Sequence, residues 1–295
     1  MTTAMDTTHE RRAKARRGLL LFLSLVAIFN LIFVAVVVKT GDTRWFLGLM
    51  WSVALASVIC RLVLHEGFRD VSFRFGGRRT LAILLAAIAY PIAIGLVAYG
   101  IAWATGLAEY TSPPNGFLTG LLLGATVTTA VACISTTGEE IGWRGYMLTR
   151  LIEAGVPRPV LASGVIWALW HAPLIITGSY VVNSGGSKIM GLAGFAMTTI
   201  SSAYVIARVR LETGSIWPAI VLHAAWNSII QSAFDPATTG DGARVWLGEG
   251  GMLVAIVAVV AATLASRGRW TKLRSPGTPL MLPADAPEPA APRTS

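Results

Sequence analysis

Cysteine and charge are what this sequence has least of. Two cysteines, Cys60 and Cys133, stand among 295 residues, both inside apolar blocks. That argues against a disulfide scaffold and against a cysteine-built metal site. Charged residues make up 13% of the chain, where a soluble domain carries about a quarter, so the chain cannot clothe a water-facing surface. There are only four histidines. Apolar residues, in contrast, reach 54% and gather in long blocks rather than alternating. The net charge is +9, but its meaning depends on where the cations lie, and here they flank apolar blocks. The chain reads as a polytopic membrane protein whose partner is the lipid bilayer, not nucleic acid.

A spanning helix needs about 20 mainly apolar residues, because only a closed backbone ladder satisfies its polar groups in lipid. Eight blocks fit: 18–38, 45–64, 80–104, 116–136, 160–178, 189–207, 216–234 and 250–266. The first follows Arg11, Arg12, Lys14, Arg16 and Arg17. It is too long for a signal peptide and no small-x-small cleavage site follows promptly, so it reads as a retained helix. With the N-terminus cytoplasmic, only Lys39, Arg44, Lys188 and Arg244 of the 24 Lys and Arg fall outside. This is a strong positive-inside bias. The expectation is an all-α transmembrane bundle of about eight spans with both termini cytoplasmic. Residues 1–17 form a basic N-terminal segment, 18–266 the membrane domain with a motif core at about 116–231, and 267–295 a Pro/Ala-rich tail expected to be disordered. Between the second and third blocks, 65–79 interleaves Phe68, Phe73 and Phe75 with basic residues. Such a segment suits lipid headgroups, and an ordinary charged loop fits it as well.

Ionisable side chains within spans are costly and mark function by default. Glu139, Glu140 and Arg144 follow the fourth block, His171 lies in the fifth, and His223 and Asn227 lie in the seventh. Glu140 and Arg144 are four residues apart and share a helix face. Glu139 is turned about 100° from Glu140 and can face a cavity. Gly138, Gly142 and Gly145 leave room for a neighbouring helix or a substrate. Trp167 precedes His171 by one turn, and Pro173 follows, where it can kink the helix. Asn227 follows His223 by one turn, and its carboxamide can donate to an oxyanion. Read singly, each histidine fits an interhelical hydrogen bond, and the acidic pair fits a helix start. Together they form an acid–base or metal-binding set. Other intramembrane chemistries lack their residues. Arg69 sits where a zinc motif begun by His65-Glu66 needs its second histidine. No glycine stands two residues before Ser163, as a serine-protease motif there would need, and Asp235 and Asp241 lie in a loop rather than in spans.

On these residues the sequence resembles the CPBP family of intramembrane proteases, which includes the type II CAAX prenyl endopeptidases and bacterial Abi-type proteins. The family pattern is EExxxR, FxxxH and HxxxN on successive membrane helices. Glu139 to Arg144 match the first motif within EEIGWRGY, and His223 to Asn227 match the third. The second departs, with Trp167 at the Phe position before His171. The resemblance implies peptide-bond hydrolysis of membrane-embedded or lipidated substrates near the cytoplasmic leaflet, with a site opening to the cytoplasm. It makes Glu139 the base, aided by His171; Glu140 and Arg144 position the site, and His223 and Asn227 stabilise the oxyanion. Glu139, His171 and His223 could hold Zn2+ with water at the open position. They could equally activate water without metal, and both readings stand at this point. The family also admits a non-enzymatic immunity or scaffold protein, though a pure binder would not need all four of Glu139, His171, His223 and Asn227. A small-solute transporter is disfavoured by the lack of an internal repeat. The abundance of Ala, Gly and Arg suits a bacterial plasma-membrane protein from a high-GC genome.

Overall fold

A computed structural model describes residues 2–75, 77–180 and 187–266; the tail at 267–295 lies outside the described residues. Every apolar block becomes a helix. They are α1 Thr2–Thr40, α2 Trp45–Val63, α3 Gly77–Thr105, α4 Phe117–Glu153, α5 Pro159–Ile176, α6 Lys188–Thr213, α7 Trp217–Ile229 and α8 Met252–Ala265. Six of them, α1 to α6, are long and apolar enough to cross a membrane. The seventh block continues through a π turn, Ile230–Phe234, making 217–234 a rod of about 27 Å at 1.5 Å per residue. The 14 residues of α8 cover about 21 Å, less than a hydrocarbon core of about 30 Å. The basic N-terminal segment forms the first turns of α1, and Ala15 within it is buried.

Helix α4 is interrupted twice by π turns, Gly124–Thr128 and Trp143–Met147. Insertions of this kind often accompany functional sites because they rotate the side chains that follow. Two glycines let α2 lie directly against this helix. A Cβ at Gly142 would sit 2.5 Å from Val53 Cγ1 and 2.6 Å from the Val53 carbonyl, and one at Gly138 would sit 2.8 Å from Trp51 Cα. Only backbone hydrogens fit there, which fixes the height and rotation of α4 against α2. The anticipated gap at Gly145 is looser, with Val71 Cγ1 at 3.5 Å. Helix α1 is tied to α5 by a buried hydrogen bond, Asn30 Nδ2 to the Trp170 carbonyl at 2.7 Å.

The two ends of the bundle differ. At one end a short antiparallel ribbon pairs β1 Glu109–Tyr110 with β2 Thr238–Thr239, Glu109 opposite Thr239. Beside it the Tyr99 hydroxyl donates to Asp235 and accepts from the Gly248 N–H at 3.0 Å. Tyr99, Trp103, Phe117 and Phe234 pack as an aromatic cluster beneath the ribbon. The opposite, basic end carries the turns near residues 64–75, 154–158 and 214–216. There Arg150 pairs with Glu66 at 2.9 Å and Arg61 donates to the Gly145 carbonyl at 2.9 Å.

Candidate active site

The site is built where α4, α5 and α7 meet. Glu139 and Glu140 point to different partners, as adjacent residues on one helix must. Glu140 is fully buried and its Oε1 takes both Arg144 Nη1 at 2.8 Å and His223 Nδ1 at 2.9 Å. A carboxylate in that position offsets the burial of the Arg144 cation, which is only 1% exposed. The Arg144 guanidinium lies 4.2 Å from the Trp167 ring centroid, a cation–π contact that faces an otherwise undonated part of the group. With Nδ1 turned to Glu140, His223 has Nε2 left for a substrate.

Glu139, 1% exposed, is held from both sides by indoles: its Oε2 accepts from Trp167 Nε1 at 2.9 Å and Trp143 Nε1 at 3.3 Å. No side chain among the described residues donates to Oε1. Oε1 is therefore the free oxygen of this carboxylate. His171 Nδ1 lies 2.9 Å from the Trp167 carbonyl. A carbonyl only accepts, so Nδ1 carries the hydrogen and a neutral His171 presents an unprotonated Nε2. The ring is wedged edge-on between Trp170 and Phe195, with centroids at 4.7 and 5.0 Å. Asn227 makes no hydrogen bond among the described residues and lines the same cavity as Glu139, His171 and His223. Glu140 and Arg144 do not reach that cavity; they stand behind it.

A three-ligand metal centre does not fit this arrangement. Among the described residues no three His, Cys, Asp or Glu side chains are grouped closely enough to hold a metal ion, and that includes Glu139, His171 and His223.

The cavity has a volume of about 330 Å³. Glu139, Trp167, Leu222 and His223 form its inner part, and Tyr180, Gln231 and Glu249 its other extreme. Tyr180 and Glu249 lie in the loops after α5 and before α8, at the ribbon end, and Gln231 is exposed. The lining thus extends toward the ribbon end. A buried layer of Glu140, Arg144, Arg61 and Arg210, none more than 1% exposed, fills the bundle between Glu139 and the basic end.

Three of these groups were not anticipated from sequence. Trp143 stands four residues after Glu139, a spacing that was readable. Tyr180 and Glu249 are loop residues brought together by folding. The Tyr180 hydroxyl donates to Glu249 Oε2, and Gln231 Nε2 donates to Oε1 at 3.3 Å. Burial holds the Glu249 carboxyl above its usual range, with the Tyr180 bond pulling the other way.

Residues 118–229, which contain every motif residue, match the family model described as type II CAAX prenyl endopeptidase Rce1-like. The likeness covers the motif core rather than the whole chain. A CAAX prenyl protease 2 from Methanococcus maripaludis is 30% identical over 97 residues, 32% of this chain and 36% of that protein. The chain thus spans about a third of the length of the curated relative it matches. The matched segment comprises α4 to α7, so this similarity and the site geometry fall on the same helices, while α1 to α3 and α8 form the surrounding wall of an integral membrane protein.

Proposed function

We propose that the chain is an endopeptidase that hydrolyses peptide bonds of membrane-embedded or lipidated segments within the bilayer, in a bacterial plasma membrane. One observation carries the reading: Glu139, His171, His223 and Asn227, from three helices, line one aromatic-walled cavity. In this mechanism water bound between Glu139 Oε1 and His171 Nε2 gives its proton to Glu139, and its oxygen adds to the scissile carbonyl. The resulting oxyanion accepts hydrogen bonds from Asn227 Nδ2 and from Nε2–H of His223 in its imidazolium form. Glu140 accepts the other hydrogen of that ring, from Nδ1. As the tetrahedral species collapses the C–N bond breaks, and the proton on Glu139 passes to the leaving amine. Arg144 acts through Glu140, holding it against His223. No step is routed through a metal.

Cleavage by purified protein in vesicles tests this. Glu139→Ala and His171→Ala abolish product while the protein keeps its helical signal and melting behaviour; activity persisting in the Glu139 variant sinks the assignment. Wild-type cleavage survives chelation, whereas loss that is restored by added Zn2+ would establish metal dependence. Whether the natural substrate is prenylated is read by comparing membrane proteomes with and without the Glu139 carboxylate, since the substrate accumulates uncut only in the latter.

A further inference from the structure

The segment at 65–75, between α2 and α3, is neither part of the cavity nor an unstructured link. Its acids face inward: Asp70 pairs with Arg61 and with Arg150 at 3.3 Å, and Glu66 pairs with Arg150. Its backbone is clamped by buried arginines, Arg61 donating to the Gly67 carbonyl and Arg210 to those of Asp70 and Val71. The Ile216 N–H donates to Ser72 at 2.9 Å, and the Trp217 indole to Phe73 at 3.0 Å. What remains outward is one kind of surface. Arg69 and Arg74 are exposed with no acidic partner among the described residues, interleaved with Phe68, Phe73 and Phe75 at 50%, 48% and 59% exposure. The loop lies at a membrane boundary, because the helices on either side of it both qualify as spans.

Inward acids, outward cations and aromatic rings on a clamped backbone beside two spans complement an anionic lipid interface. The same frame touches the catalytic helix. Arg61 Nη2 donates to the Gly145 carbonyl, and Gly145 belongs to the π turn that carries Trp143 and Arg144. We propose that 65–75 is a docking platform for the anionic phospholipid headgroups of the surrounding bilayer, and that its occupancy steadies the Trp143–Met147 turn. This holds whether or not the chain is a protease.

The test uses the full chain in nanodiscs of phosphatidylcholine with or without phosphatidylglycerol, and needs no substrate. Spin-labelled lipids report which headgroup the protein retains, and hydrogen exchange reports the turn at 143–147. Wild type favours phosphatidylglycerol by about fivefold for each arginine engaged, and exchange at 143–147 slows in the anionic discs. Arg69→Gln with Arg74→Gln loses both effects, while the double Lys variant keeps them, which separates charge from folding. No preference in wild type, or an undiminished preference in the Gln variant, overturns the platform. An unchanged exchange rate in anionic discs overturns its link to the turn.

Discussion

Replacing Trp167 by Phe removes the indole N–H donor from the site and keeps a smaller aromatic ring in its place. The ring that packs 5.0 Å from His223 and 4.2 Å from the Arg144 guanidinium remains aromatic, but the 2.9 Å donor to Glu139 Oε2 is gone. A hydrogen bond to a charged acceptor is worth about 1.5–3 kcal/mol. Trp143 still reaches the same oxygen at 3.3 Å, so the lower figure applies. If that bond keeps Oε1 turned into the cavity, losing it lowers kcat about tenfold and leaves KM within about twofold, since the wall stays in place. The assay is cleavage of a quenched fluorogenic peptide by reconstituted enzyme, with a thermal melt on the same preparation. A Trp167→Phe enzyme with wild-type kcat would show that the indole does not position the base. Trp167→Ala is the contrasting arm, because emptying this volume costs about 3–5 kcal/mol and lowers the melting temperature as well.

Three further outcomes follow from other parts of the structure. Glu140→Gln leaves the buried Arg144 cation without its counter-charge, and destabilises the fold by about 3–5 kcal/mol; adding Arg144→Met restores part of the loss in a detergent melt. A cysteine at Gln231 is labelled by an impermeant maleimide from the same side of the membrane as a cysteine at Thr239. Labelling from the side that reaches a cysteine at Arg69 would refute the ribbon-end access. Burial raises the Glu249 carboxyl above its ordinary 4.5, so the folded state holds that proton more tightly than the unfolded chain. Its stabilising contribution is complete below 4.5 and is lost as pH rises through the folded value. The melting temperature of wild type therefore falls with rising pH above 4.5 more steeply than that of Glu249→Gln.

Much of this was legible in the sequence because it depends on one helix at a time. Lipid leaves a spanning backbone no choice but to bond to itself, so each apolar block became a helix, and the short eighth block was already bounded by glycine. The Glu140–Arg144 pair was legible for the same reason, four residues being one turn. The close seating of α2 on α4 was readable from Gly138 and Gly142 as small residues, though not which helix would use the space. The relations between helices were different. The indole of Trp167 on Glu139 and the link from Glu140 to His223 depend on how α4, α5 and α7 are rotated about their axes. The meeting of Tyr180, Gln231 and Glu249 depends on loops folding back over the ribbon end. Periodicity fixes which residues share a face and carries no information about which face of the neighbour they meet. Sequence by itself therefore determined the membrane helices, their motif residues and the local ion pair. Only the tertiary structure decided which oxygen of Glu139 is free and toward which end the cavity runs, because both are set by packing between helices.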